Sequence, residues 1–189
     1  MKKEIIGVSG GKASFSEEAA EYYCAKNKIK KYEIKHLISV ENVLTELDEG
    51  KIDLGVFPIE NSNGGIVYEA VYAMSKHLFE IEKLFEVDIK HNLIALPSLS
   101  SEQVTVIASH DQALRQCKMY LGRVWPGIEI KEWVDTADAV RAIKNGELPK
   151  TAAAIAPRKA AELYKMKILE EGIQDLKFNF TTFLTVRKK

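Results

Sequence analysis

The chain has 189 residues, and its 27 Lys and Arg residues balance its 27 Asp and Glu residues, so the formal net charge is zero. This balance argues against broad binding to nucleic acid or to an anionic membrane. No apolar run reaches the ~20 residues that span a bilayer, and the first residues lack the apolar core of a signal peptide. Cys24 and Cys117 have neither metal-ligand nor disulfide spacing. We therefore expect a cytoplasmic protein with reduced thiols and with no nucleic-acid or membrane partner.

Short apolar runs alternate with amphipathic stretches along the first part of the chain. The first predicted helix begins at Ser14 or Ser16, because Ser16 precedes two glutamates in the manner of a helix start. The predicted strands span 4–8, 32–37 and 54–59, and the other predicted helices span 40–49 and 66–76.

Residues 79–96 depart from this alternation, because 79–87 and 89–96 are extended segments with few helix signals. The remaining predicted strands span 104–108, 128–134, 152–156 and 180–186, and the remaining helices span 111–121, 136–145 and 157–164. Strands that alternate with helices predict an α/β protein with mostly parallel sheets. We expect 79–96 to cross between two such units.

A polar cluster follows each of four predicted strands. In open α/β sheets, ligands bind outside the carboxyl ends of the strands, so four such loops predict one cleft for a small polar molecule. The polarity of a single loop would need no explanation beyond its surface position. The four clusters lie at 9–14, 60–65, 109–112 and 135–136.

The clearest of these clusters is Glu60-Asn61-Ser62, which precedes Gly64 and Gly65. It places an acid, an amide and a hydroxyl at a strand end, and its glycines let backbone N–H groups approach a ligand. Such a site suits a carboxylate or a hydroxyl. An equal alternative, from the local sequence alone, is a Ser/Asn cap on the following helix.

Several segments resemble the prephenate dehydratase family, in the same order along nearly the whole chain. GVFPIENS at 55–62 is similar to the family's GVxPIENS, and SHDQALRQC at 109–117 is similar to SHPQALxQC. The other matching segments lie at 7–16 (family GPxGTFS), 86–93 (ExxxxIxHxL), 152–156, 173–175 and 179–183 (NxTRF). The ordered set identifies the family more firmly than any one motif.

The resemblance implies two α/β subdomains around a cleft, in a periplasmic-binding-protein-like (type II) arrangement. The first subdomain would span 1–78 and be completed by 171–189, and the second would span 79–170. The implied reaction converts prephenate to phenylpyruvate with loss of CO2 and water, in phenylalanine biosynthesis. It needs no metal and no organic cofactor. The resemblance also implies an oligomeric assembly, either a homodimer or a homotetramer. The matches cover the catalytic domain alone, so we expect neither a chorismate mutase nor an ACT regulatory domain.

The resemblance also implies residue roles. Thr181 would assist departure of the ring hydroxyl, Asn61 and Ser62 would orient the substrate, and Glu60 would position them or hold a proton. Without the resemblance, Thr181 would be interpreted as an ordinary β-branched strand residue, and His110 as a polar cap. The predicted substrate contacts are Lys12, Ser14, Gly64, Gly65, Ser109, His110, Gln112, Thr136, Thr182 and Phe183.

Four departures from the family pattern lie at these positions. Thr182 replaces the arginine of TRF, and threonine cannot grip a carboxylate as the guanidinium fork does. The opening loop is two residues longer, with Ser14 at the family's threonine. Asp135 replaces the serine of STA, and Gly64 replaces a glutamate. One hypothesis is that Lys12 restores the lost positive charge; the alternative is a solvated loop lysine.

Three functions follow from these residues. The first is a prephenate dehydratase. The second is a diverged enzyme of the same fold, such as a non-aromatising prephenate decarboxylase, which fits the loss of the arginine but not the retention of Thr181. The third is a non-catalytic protein that binds a small carboxylate.

Overall fold

A computed structural model describes residues 3–189 and shows two units, each built on its own β-sheet. The strands are β1 Glu4–Val8, β2 Tyr32–His36, β3 Leu54–Asn61, β4 Gly65–Ile66, β5 Phe79–Asp88, β6 Asn92–Ala95, β7 Val106–Ser109, β8 Glu129–Glu132, β9 Ala152–Ala156, β10 Lys167–Glu170 and β11 Phe180–Lys188. The helices are α1 Phe15–Lys26, α2 Val40–Asp48, α3 Tyr68–Met74, α4 Asp111–Gln116, α5 Lys118–Val124, α6 Thr136–Asn145 and α7 Arg158–Tyr164, and a short 3-10 helix spans Ser101–Gln103. Among the helices of residues 3–189, none combines the length and apolar character that crossing a bilayer requires.

The first unit is built on a sheet of strand order β2-β1-β3-β11-β5, with β4 paired to β3. β1 runs parallel to β2 and β3, whereas β11 runs antiparallel to β3 and β5. Helix α2 packs Val43, Leu44 and Leu47 against strand residues that include Phe57 and Leu184. The carboxyl end of β3 thus lies beside the first residues of β11.

The second unit is built on a sheet of order β10-β6-β9-β7-β8. Its central strand β9 is buried throughout, and successive residues face two different cores, as strand geometry requires. Ala152 and Ala154 pack with helix α6 on one face, whereas Ala153 and Ile155 pack on the other face beside α4 residues such as Leu114.

Both sheets are mixed, so the prediction of mostly parallel sheets is wrong. In the first unit, the last strand returns between β3 and β5 and pairs antiparallel with both. In the second unit, β6 pairs antiparallel with β9 and with β10, a strand that the sequence did not predict. The predicted alternation of strands and helices identified the α/β class but not the direction of the returning strands.

The division between the units also differs from the predicted limits of 1–78 and 79–170. β5 belongs to the first unit, because it pairs with β11 from Phe79 to Asp88. Residues up to Asn179 belong to the second unit, where the Ile173 N–H donates to the His91 carbonyl at 2.9 Å. The chain therefore passes between units at 88–89 and at 179–180, and the short segment 12–14 of the opening loop also groups with the second unit.

The predicted helix over 111–121 is two helices. Helix α4 ends at Gln116, and α5 begins at Lys118. The Asp175 carboxylate accepts the backbone N–H groups of Met119 at 2.8 Å and of Tyr120 at 2.7 Å. An acceptor 55 residues away thus caps a second helix start, which no local pattern encodes.

Candidate active site

Asn61 and Thr181 form a side-chain pair on neighbouring strands of the first unit. Asn61 is the last residue of β3, and Thr181 lies directly opposite it on β11. The Asn61 Nδ2 donates to Thr181 Oγ1 at 2.9 Å and to the Phe180 carbonyl at 3.2 Å. Asn61 is 2% exposed and Thr181 is 8% exposed, so both partners are held in a largely desolvated place.

The turn after β3 fixes the orientation of the Asn61 amide. Its Oδ1 accepts the backbone N–H groups of Asn63 at 2.9 Å and of Gly64 at 2.7 Å. The amide oxygen therefore faces the turn and the nitrogen faces Thr181. Since an amide nitrogen only donates, Thr181 Oγ1 accepts in this bond, and the threonine O–H is directed elsewhere as a donor.

Ser62 holds the first residue of β11 against the end of β3. Its backbone N–H donates to the Phe180 carbonyl at 2.8 Å, and its Oγ accepts the Phe180 N–H at 3.0 Å. Helix α3 begins at Tyr68 after Val67, so Ser62 does not cap a helix. Of the two local interpretations, the helix cap is wrong, and Ser62 positions the strand that carries Thr181.

Glu60 and Thr182 lie on the sheet face opposite to Asn61 and Thr181. Successive strand residues point to opposite faces, and Thr182 lies opposite Glu60 on β3 and opposite Glu86 on β5. The position of the family arginine is therefore flanked by two carboxylates, on the face away from the Thr181 hydroxyl. In this structure neither Glu60 nor Thr182 shares a face with Thr181.

Two predicted substrate contacts are interior residues. Phe183 is 1% exposed and its ring lies 6.0 Å from that of Phe85, so it belongs to the core of the first unit. Ser109 is fully buried, and its hydroxyl donates to the Ile155 carbonyl at 2.6 Å, which ties β7 to β9. Their side chains are engaged in packing and strand pairing rather than presented to a ligand.

In the second unit, two predicted polar loops begin helices. His110 precedes α4, and its Nδ1 accepts the Gln112 N–H at 3.3 Å, as the cap interpretation expected. Asp135 precedes α6, and its carboxylate accepts the Asp138 N–H at 2.9 Å. Burial raises the pKa of the Asp135 carboxyl, although hydrogen bonds from the backbone N–H groups of Ala137 and Asp138 oppose this rise. Thr136, the first residue of α6, is buried.

The opening loop belongs partly to the second unit. Residues Lys12–Ser14 group with that unit, and Ala13, at a φ of 62°, packs in its core. Ser14 is 3% exposed, whereas Lys12 is exposed to solvent. At the other predicted loop, Gly65 has a φ of 75°, a conformation that favours glycine.

A buried polar cluster that the sequence did not single out lies in the second unit. Gln116 Oε1 accepts from His91 Nε2 at 2.7 Å and from Asn179 Nδ2 at 2.9 Å. Burial lowers the pKa of His91 to about 4, so the ring is neutral at physiological pH. Asn179 lies directly before β11 and two residues before Thr181. The sequence did contain a signal for this cluster, because Gln116 lies in the SHDQALRQC segment. The prediction selected Gln112 of that segment as a substrate contact and passed over Gln116.

Comparison with known proteins identifies a family for this chain. The prephenate dehydratase family model matches residues 6–189. Arogenate dehydratase 1 of Petunia hybrida is 36% identical over 137 residues, which are 72% of this chain and 32% of the relative. Prephenate dehydratase of Methanocaldococcus jannaschii is 35% identical over 160 residues, which are 84% of this chain and 56% of the relative. The chain thus spans from about a third to just over half of these curated relatives.

Solved structures support the fold. A prephenate dehydratase from Arthrobacter aurescens in complex with L-Phe has a TM-score of 0.85 at 24% identity, covering 98% of this chain and 60% of that one. A Bacillus subtilis protein described as a methionine-binding lipoprotein has a TM-score of 0.56 at 13% identity, covering 99% of this chain and 84% of that one. The predicted α/β, periplasmic-binding-protein-like fold class is confirmed.

Proposed function

This chain belongs to the prephenate dehydratase family, and we propose that it is a carbon–oxygen lyase that converts prephenate to phenylpyruvate in phenylalanine biosynthesis. The observation that carries the proposal is the Asn61 Nδ2 to Thr181 Oγ1 hydrogen bond of 2.9 Å. It makes Thr181 an oriented hydroxyl donor at the start of β11.

The reaction needs such a donor. Prephenate loses CO2 and its ring hydroxyl, and one proton completes the water that leaves, while the ring becomes aromatic. Aromatisation drives the loss of CO2, so the protein mainly orients the substrate and assists the departing hydroxide. A threonine hydroxyl is a weak acid, but one that accepts a hydrogen bond donates a stronger one. Asn61 thus strengthens the hydrogen bond from Thr181 to the leaving oxygen.

The other predicted site residues have different roles, according to the contacts that their side chains make. Ser62 acts on Thr181 indirectly, through its two bonds to Phe180. Ser109 and Phe183 contribute packing. The predicted substrate contacts that remain part of the proposal are Lys12, Ser14, Gly64, Gly65, His110, Gln112 and Thr136.

The test follows phenylpyruvate formation from prephenate with purified wild-type protein and three variants. Thr181→Val removes the hydroxyl at constant shape and should lower kcat by about 10²–10⁴-fold, the usual contribution of an oriented proton donor. Thr181→Ser keeps the hydroxyl and is the matched control, expected to retain most activity. Asn61→Asp offers only acceptors to Thr181, so it should divert the threonine proton and lower kcat with little change in KM.

Each outcome bears on the proposal. Full activity of Thr181→Val would reject the assigned role. Wild-type protein that releases CO2 without phenylpyruvate would be a decarboxylase, and binding without turnover would indicate a carboxylate-binding protein. Arogenate is assayed in parallel, because a relative at 36% identity is an arogenate dehydratase. Since the same ring hydroxyl leaves, Thr181→Val should lower kcat by a similar factor in either reaction.

We also propose a cytoplasmic location and a homodimeric or homotetrameric assembly. Cys24 and Cys117 are both free and buried, and burial raises the pKa of both thiols, Cys24 to about 11. Such thiols need no oxidising compartment. Cell fractionation tests the location, and light scattering of the purified protein tests the assembly.

A further inference from the structure

The first unit carries a cluster of exposed apolar side chains, which we call the α3–β5 patch. Soluble monomers rarely expose a contiguous apolar surface above a few hundred Å², and larger ones mark interaction sites. Tyr68 and Tyr72 are each more than two thirds exposed, and Leu78 is 76% exposed. The patch consists of Ile66, Tyr68, Val71, Tyr72, Leu78, Ile81 and Leu84.

Helix α3 buries its small residues and exposes its large apolar residues. It buries two alanines, Ala70 and Ala73, against the first unit. Its larger residues Tyr68, Val71 and Tyr72 share one face, since they are three and four residues apart, and that face is exposed. A surface helix normally buries its apolar stripe, so the exposed apolar stripe of α3 indicates a binding surface.

Strand β5 contributes the other exposed apolar residues of the patch, at an edge of the sheet. It is the last strand in the order, so within residues 3–189 its outer edge pairs with no strand. Ile81 and Leu84 lie opposite Val186 and Leu184, whose side chains belong to the core beneath α2 and α3. Because residues opposite each other share a face, Ile81 and Leu84 project on the same side as α3.

A bulge in β5 sets the arrangement of its charges. Lys83 pairs with Thr185 and Ile81 pairs with Val186, which leaves Glu82 as the extra residue. The Tyr23 hydroxyl of α1 donates to Glu82 at 2.9 Å. Glu82 and Lys83 therefore lie on the α1 side, whereas Ile81 and Leu84 lie on the α3 side.

We propose that a second copy of this chain binds the α3–β5 patch, with the two β5 strands paired antiparallel about a two-fold axis between Glu82 and Lys83. In that register Ile81 faces Leu84 of the other copy, and Glu82 faces its Lys83, each pair occurring twice. The apolar pairs of Ile81 and Leu84 lie on the α3 side of the sheet, and the acid–base pairs of Glu82 and Lys83 lie on the α1 side. The two first-unit sheets then become one continuous sheet.

The charges of β5 disfavour the two registers displaced by one residue from this one. Directly opposed like charges destabilise a strand pair. A shift of one residue places Lys83 opposite itself when the axis passes through Lys83, and Glu82 opposite itself when it passes through Glu82. Charges on edge strands usually prevent pairing, and here they admit a copy of the same strand while opposing other acidic edges.

The assembly is measured first, by light scattering over a range of protein concentrations. Wild-type protein should have at least twice the mass of one chain. Leu84→Lys and Lys83→Glu should each raise the dimer dissociation constant by about tenfold or more, because each change acts twice in a two-fold dimer. Met119→Lys is the matched control, since Met119 is 65% exposed in the second unit and should leave the mass unchanged.

Disulfide trapping then tests the register. The Cβ atoms of directly opposite residues lie within about 5.5 Å, close enough for a disulfide after small adjustment. A mixture of Ile81→Cys and Leu84→Cys proteins should form a cross-linked dimer on oxidation, whereas neither variant alone should. Cys24 and Cys117 are buried and give little background.

Three results would overturn the inference: a monomeric wild-type chain, a dimer indifferent to both β5 variants, or equal cross-linking of Ile81→Cys with itself. The inference refines the proposed assembly and does not depend on the dehydratase reaction. Phenylpyruvate formation is measured on the same samples, so a failed interface is distinguished from a failed function.

Discussion

Acidification should destabilise the second unit through His91. The ring is 3% exposed, and its Nε2 contacts Gln116 Oε1 at 2.7 Å. Since that amide oxygen only accepts, Nε2 carries the proton of the neutral ring. The neighbouring polar groups Gln174 and Asn179 are also neutral amides. A second proton on His91 would place a charge in this desolvated cluster beside neutral amide groups.

The magnitude follows from the two pKa values. His91 titrates near 6.5 in an unfolded chain and at about 4 in the folded protein, because burial disfavours the charged ring. Between these values the unfolded chain binds a proton that the folded protein does not. The free energy of unfolding therefore falls as the pH drops through this window, by about 3 kcal/mol in all. Above about pH 6.5 His91 contributes no pH dependence.

The assay compares urea unfolding of wild-type protein and His91→Gln at several pH values between about 7 and 4. Glutamine keeps an N–H donor near the position of Nε2 and cannot take up a proton. The variant loses some stability at neutral pH through imperfect packing, so the readout is the difference in slope. The wild-type protein should lose about 3 kcal/mol more than the variant across the window. Parallel curves would refute the assignment of a neutral, buried His91.

Two further predictions concern the first unit. His77 Nδ1 contacts Asp48 at 2.5 Å and Nε2 contacts Glu41 at 3.3 Å, and these bonds raise the pKa of His77. The stability that His77 adds relative to His77→Gln should be full below its usual pKa and vanish as the pH rises through the raised value; urea curves in which this difference grows toward alkaline pH would contradict the ion pairs. Thr182→Arg, which faces Glu60 and Glu86, should raise the free energy of unfolding by about 0.2–1 kcal/mol per pair in low-salt urea titrations. Thr182→Gln is its neutral control, and an equal gain from both variants would exclude a charge effect.

The sequence predicted local elements well where the signal was local. Helix α6, with Gly146 in the left-handed conformation at its end, and strand β9 have the predicted bounds. The failures arise from partners distant in sequence. The sequence over 111–121 shows no break in its helical pattern, but the Asp175 carboxylate caps a second helix start after Cys117. The pairing of β5 with β11 places β5 in the first unit rather than the second. Neither partner can be identified before the chain has folded.

The site shows a similar division. The resemblance placed Asn61 and Thr181 in one motif set, and the structure joins them by a hydrogen bond. Strand parity was available from sequence, because Glu60 and Thr182 each adjoin a residue of that pair along the strand and must face away from it. The role of Ser62 required the register of β11, which aligns Phe180 with the turn after β3. The cluster around Gln116 required the fold of the second unit.

The departures from the family pattern leave the Asn61–Thr181 pair intact. At the Gly64 position the contact to Asn61 comes from a backbone N–H, which any residue other than proline supplies. Asp135 caps α6, a role for which aspartate and serine are equally suited. Thr182 faces Glu60 and Glu86 on the other side of the sheet. At these three positions the residue acts through a backbone group, a helix cap or the opposite face, and the hydroxyl donor on which the proposed reaction depends keeps its partner.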